Sequence, residues 1–247
     1  YTFLKNEKYY KCFLNIDFNN VNSCKILTIN EYENYISSSS TPYNNGELSF
    51  DTINLGNLDY STEYEILKLS NFTDKEYILK EDKIYILNEI NKNPNTIRII
   101  FSNDKARLII SGEYKNTQFD FVGITNKNSN SSKKYNSRND GNFLNGCTNF
   151  INADLKNISI KFRNSFCEDA INFISSNGSI SNIMISNSIY DSLDIDFSNI
   201  EISNTKIYNS GNDCIDTSFG DYFFDKITLV TCNDKAISIG ENSKVNI

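Results

Sequence analysis

The chain contains no histidine. That absence excludes serine–histidine triads, histidine-ligated zinc and imidazole acid–base catalysis. No two cysteines are spaced as Cys-x-x-Cys, so the common structural zinc site is not encoded either. No run of 18 apolar residues occurs, which leaves no helix able to cross a bilayer. Basic tracts and arginine–aromatic interleaving are missing, and the formal net charge is −7, the wrong sign for a nucleic-acid partner. Proline occurs only twice in 247 residues.

What is present favours strands and tight turns. Hydrophobic residues make up 39% of the chain, rich in Ile, Phe and Tyr, enough for a sizeable core. Ile, Tyr and Phe suit a pleated surface, whereas Asn, Asp and Ser suit turns. Of the six cysteines, Cys12 and Cys24 are spaced to bridge a short loop in an oxidising compartment. Cys214 and Cys232 fall inside strand-like segments and read as buried free thiols.

Residues 1–70 show no period and include a Ser-rich loop around Pro42 and Gly46; they are expected to form an irregular or small β-rich flank. From about residue 75, β-branched and aromatic runs such as "TIRIIFS", "ARLIISGEY" and "FDFVGI" recur between polar breaks, as strands do. A polar stretch at 125–142 reads as an exposed loop. The sequence begins at Tyr and stops inside a repeat, so it reads as part of a longer multidomain chain, with 75–247 a solenoid cut at its C-terminal end.

Written in rows of 22 from Ile171, the sequence falls into register. Ile171, Leu193, Ile215 and Ile237 share a column, as do Phe173, Ile195, Thr217 and Ile239. Further along, Ile185, Ile207 and Leu229 align, and Asn187 and Asn209 stack at a turn. Alternate residues point to one face of a strand, and a fixed period near 22 marks coils that bury their apolar faces only by stacking. The expected fold is an all-β parallel β-helix with coils about 4.8 Å apart.

Outward positions between the apolar columns are acidic. Asp169, Asp191, Asp213 and Lys235 form a turn column; Asn172, Asp194, Asp216 and Ser238 form the next; Ile174, Asp196, Ser218 and Gly240 the third. Two carboxylates 4.8 Å apart repel by roughly 3 kcal/mol at an effective dielectric of about 20. A cation, a proton held on a carboxyl, or Lys235 is needed to offset that repulsion. Asp194, Asp196 and Asp216 are expected to be substantially exposed, with Asp194 and Asp216 a weak Ca²⁺ site. The alternative is a solvated row of turn acids.

"YDSLDI", "GNDCIDTS" and "DKAISIGENS" resemble the three active-site rungs of polygalacturonase-type glycoside hydrolases, within the pectin-lyase-like superfold. That resemblance places Asp191 and Asp213 on water-activating aspartates and Lys235 on the family's histidine. Asn212 stands where the family has its general acid, and an amide cannot donate that proton. The rows resemble the right-handed parallel β-helix of that superfold, and "CED", "DIDFS", "NDC" and "DKAISIGENS" are more similar to the β-helix modules beside spore-coat kinase-like (CotH) domains of bacterial surface proteins than to any hydrolase, a kinship that implies no catalysis. The function expected is a secreted or cell-surface module that engages polysaccharide, or a cell-surface component, through Asn212, Asp194, Asp196 and Asp216, or that serves a structural role. The alternative is a lyase, epimerase or hydrolase acting on uronic-acid polymers through Asp191, Asp213 and Lys235.

Overall fold

A computed structural model describes residues 2–5, 8–13, 23–27, 64–68, 76–88, 96–124 and 144–247. The chain divides into two compact units, Tyr1–Ser61 and Thr62–Ile247. In the first, β1 (Thr2–Lys5), β2 (Lys8–Phe13) and β3 (Ser23–Leu27) form a three-stranded antiparallel sheet. Cys12 and Cys24 are register partners across β2 and β3; their side chains, the Ser-rich segment and the 125–142 stretch lie outside the described residues.

The second unit is an all-β parallel solenoid of about seven turns, roughly 22 residues per coil. Two ladders build it. One runs through β4 (Tyr64–Leu67), β6 (Ile84–Asn88), β8 (Arg107–Lys115), the first half of β10 (Gly146–Ser165), β11 (Asp169–Ile174), β13 (Asp191–Asp196), β15 (Ile215–Ser218) and β17 (Ile237–Ile239). The other runs through β5 (Glu76–Leu79), β7 (Thr96–Phe101), β9 (Gln118–Val122), the second half of β10, β12 (Asn177–Ser188), β14 (Asn199–Ser210), β16 (Asp221–Cys232) and β18 (Lys244–Asn246). Every pairing in this unit is parallel.

The 22-residue columns are real neighbours. Ile171 pairs with Leu193, Leu193 with Ile215 and Ile215 with Ile237. Ile171, Leu193, Ile195, Ile215, Ile185 and Ile207 are fully buried. Leu229 and Ile237, which continue the Ile207 and Ile215 columns, are half-buried rather than fully buried. Earlier coils are filled with aromatics: Phe150 stacks on Phe173 at 4.8 Å, Phe119 and Phe121 pack against Phe150, and Phe162 packs against Phe121.

Two corners turn each coil, and both use left-handed backbone. Asn164, Asn187, Asn209 and Thr231, each next to last in its long strand, hold φ near 60°. Asparagine tolerates that conformation, and here its amide also bonds up the stack. Asn187 donates to Asn164 at 3.1 Å, and Asn209 donates to Asn187 at 3.0 Å. The other corner carries Ser175, Phe197 and Phe219 at φ of 50–51°. Gly211 keeps the following turn tight, since a Cβ there would run into the Ile189 carbonyl of the adjacent coil.

Disulfides correct one expectation. Cys214 is bonded to Cys232, with Cα atoms 5.4 Å apart, and Cys147 is bonded to Cys167 at 5.3 Å. Cys232 stacks over Ser210, just before Cys214 in the preceding coil. Coiling thus brings the two thiols within the range a disulfide needs, although they are not column mates.

Candidate functional site

The turn column starts the short strands. Asp169 pairs with Asp191 in register, and the following coils continue it through Asp213 and Lys235. These are not free turn acids. Asp191 Oδ1 accepts the backbone N–H of Asp213 at 2.7 Å and the side-chain amide of Asn212 at 2.7 Å. One coil on, Asp213 Oδ1 accepts the backbone N–H of Lys235 at 2.8 Å. Each carboxylate therefore satisfies a turn N–H that coil-to-coil pairing leaves without a strand partner. Both are sunk into the turn, Asp191 6% and Asp213 3% exposed. Burial, above all, raises the Asp191 carboxyl pKa against the two hydrogen bonds that lower it.

Lys235 is spoken for as well. Its ammonium donates to Asp234 Oδ2 at 2.8 Å and to Asp213 Oδ2 at 3.2 Å. Those hydrogen bonds push its pKa up. A proton-abstracting lysine needs the opposite shift. Asn212 is half-buried and its amide is spent on Asp191.

The second and third columns also assemble. Asn172 pairs with Asp194, Asp194 with Asp216, and Asp196 with Ser218. Asp194, Asp196 and Asp216 are half-buried rather than substantially exposed. In a solenoid each outward side chain is flanked by column neighbours above and below, and only its tip reaches water. Burial is the first cause of the raised pKa of all three; neighbouring carboxylates add to it at Asp194 and Asp196, whereas hydrogen bonds from Ser238 and Thr217 oppose it at Asp216; Asp196 is pushed up to about 7. Asp169, wholly buried beneath them, is raised for the same reasons.

Asn172 forms the floor of the cluster. It is 1% exposed, and its amide donates to Asp194 Oδ2 at 3.2 Å and, weakly, to Asp169 Oδ2 at 3.5 Å. Its Oδ1 has no hydrogen-bond partner. Among the described residues, no group of three or more acidic or thiol side chains is arranged to hold a metal ion. Asp194 and Asp216 are adjacent, but they are not part of a ready-made Ca²⁺ cage of the usual six to eight oxygens.

A feature that the column reading passed over lies directly after the acids. Phe197 follows Asp196, Phe219 follows Ser218, and their rings stack at 4.9 Å with planes 8° apart. Phe197 is 48% exposed, and Phe219 is half-buried. A bulky side chain in left-handed backbone costs about 1–2 kcal/mol. Two such residues on successive coils mark a site where strain accompanies an exposed aromatic pair. Their 22-residue spacing was visible in the sequence; their torsions and exposure were not.

Comparisons with protein-family models, with curated proteins and with solved structures gave no match.

Proposed function

We propose that this solenoid is a non-catalytic module that engages polysaccharide on its acidic short-strand face. The observation that carries the reading is the exposed Phe197–Phe219 stack standing next to Asp196 and Ser218. Aromatic faces offer an apolar platform to the C–H face of a pyranose ring, and adjacent carboxylates and hydroxyls accept and donate to sugar hydroxyls. Against catalysis stands the bonding of the turn column. Asp191 and Asp213 are committed to backbone N–H groups, and Lys235 is held as a cation by two aspartates. An inverting hydrolase needs a protonated acid facing an activated water across the bond, and Asn212 cannot supply it.

Secretion or display on a cell surface belongs to the same proposal. Cys147–Cys167 and Cys214–Cys232 persist in oxidising compartments and are rare where thiols are kept reduced. The resemblance of the rungs to pectin-lyase-like β-helices, and to the modules beside CotH domains of bacterial surface proteins, supports a right-handed coil and a surface setting.

A panel of neutral, acetylated, amino and uronic-acid oligosaccharides tests the proposal, with binding read by calorimetry. Wild-type protein is expected to bind at least one class, and Phe197→Ala to weaken that binding several-fold without lowering the melting temperature. Binding to none of the panel refutes it. Appearance of unsaturated product or new reducing ends from any polymer would restore the enzymatic reading.

A further inference from the structure

The short-strand face is short of positive charge, and its carboxyls take their hydrogen bonds from neutral donors such as the Asn172 amide and the Thr217 N–H. At its floor, Asn172 is 1% exposed, its amide nitrogen faces Asp194 and Asp169, and its Oδ1 has no hydrogen-bond partner. Above it, Asp194 and Asp216 are register partners, and Asp196 lies on the same face of the strand as Asp194. In these three columns the only cation is Lys235, and Asp213 and Asp234 already hold it. At the rim, Phe197 and Phe219 present stacked rings. The face of an aromatic ring carries negative quadrupole potential and attracts cations. Carboxylates, an unsatisfied amide oxygen and ring faces therefore ask for the same thing: a group that is positive, donates hydrogen bonds and is attached to something that stacks.

Resting on the proposal that this face engages polysaccharide, we infer that its ligand is a polymer of hexosamine with free amino groups. The protonated amine of such a sugar brings positive charge and three N–H donors to Asp194 and Asp216, while the pyranose ring lies on Phe197. A uronic-acid chain would bring negative charge to a face already crowded with carboxyls and offers them no cation in return, so it would bind less well. An N-acetylated chain keeps the ring but removes the charge, and so loses the electrostatic part of the attraction. A basic peptide supplies charge without a pyranose face for the aromatic stack.

Four probes separate these cases: a glucosamine hexamer, the N-acetylglucosamine hexamer, an oligogalacturonate and an oligolysine. Each is titrated calorimetrically into the whole chain with its disulfides intact. The glucosamine hexamer is expected to bind at least tenfold tighter than each of the other three. Asp194→Asn/Asp216→Asn should lose at least tenfold for the glucosamine hexamer and bring it level with its acetylated counterpart. Phe197→Ala, at a half-exposed position that does not threaten folding, should weaken the glucosamine hexamer while leaving oligolysine unchanged. Tighter binding of the acetylated or uronic-acid probe overturns this inference and leaves the polysaccharide proposal standing. Equal or tighter binding of oligolysine, insensitive to Phe197→Ala, shows a charge patch and overturns it too. No binding of any of the sugars removes both.

Discussion

The acidic columns make a sharp demand on the pH dependence of stability. Consider Asp196→Asn, which replaces a carboxyl by a neutral group of the same shape. The Asp196 carboxyl is raised from 3.8 to about 7, first by burial and then by the Asp216 charge, with an Asn172 hydrogen bond acting the other way. A raised folded-state pKa means that the native chain keeps its proton where the unfolded chain has lost it. Stability is therefore fullest below pH 3.8 and declines as pH rises towards about 7. A shift of this size corresponds to at most about 4 kcal/mol. Asp196 is only half-buried and shares its strain with Asp216, so the loss assigned to this one side chain is about 1–3 kcal/mol. Asparagine never ionises and escapes that loss. Thermal unfolding followed by circular dichroism should show wild type and variant melting together near pH about 3, where the carboxyl is protonated in both folded and unfolded chains. Near pH about 8 the variant should melt higher by about 2–12 °C, given about 2–4 °C per kcal/mol for a chain of this length. Parallel pH profiles for the two proteins would refute the claim that burial and crowding hold a proton on this face.

Two further outcomes follow from the core and the cross-links. Leu193→Ala, in the middle of a fully buried stack between Ile171 and Ile215, should cost about 2–5 kcal/mol in urea unfolding; a loss under about 1 kcal/mol would mean the stack is not packed there. Cys214→Ala/Cys232→Ala opens a loop with a sequence separation of 18 and should cost about 3 kcal/mol; no change in the urea midpoint, and none on adding reductant to wild type, would count against that bond's contribution.

Much of the architecture was legible in one dimension. A parallel coil places residue i beside residue i+22, so the need to stack Ile on Ile and Asn on Asn writes itself into the chain at a fixed interval. Side-chain alternation along a strand then says which columns face out, and the acidic columns stood out for that reason. How deep those columns sit was not legible. Alternation tells direction, whereas burial depends on what the coils above and below place beside each carboxyl, and the stack left Asp194, Asp196 and Asp216 half-buried.

The roles within the turn column were hidden for a related reason. A sequence shows aspartates at 191 and 213; only the turn geometry shows each accepting the N–H of the next coil, which makes them ties between coils. Pairing of Cys214 with Cys232 was equally out of reach, because their separation is not a full period and only coiling brings them together. Phe197 and Phe219 mark the remaining limit. Their spacing belonged to the sequence, but the left-handed torsions that turn both rings outward are imposed by a corner of the coil. Local preference alone would have kept a phenylalanine out of that conformation. Periodicity is a property of the chain and survives in its order of residues; depth, partnership and torsion exist only once the coils are stacked.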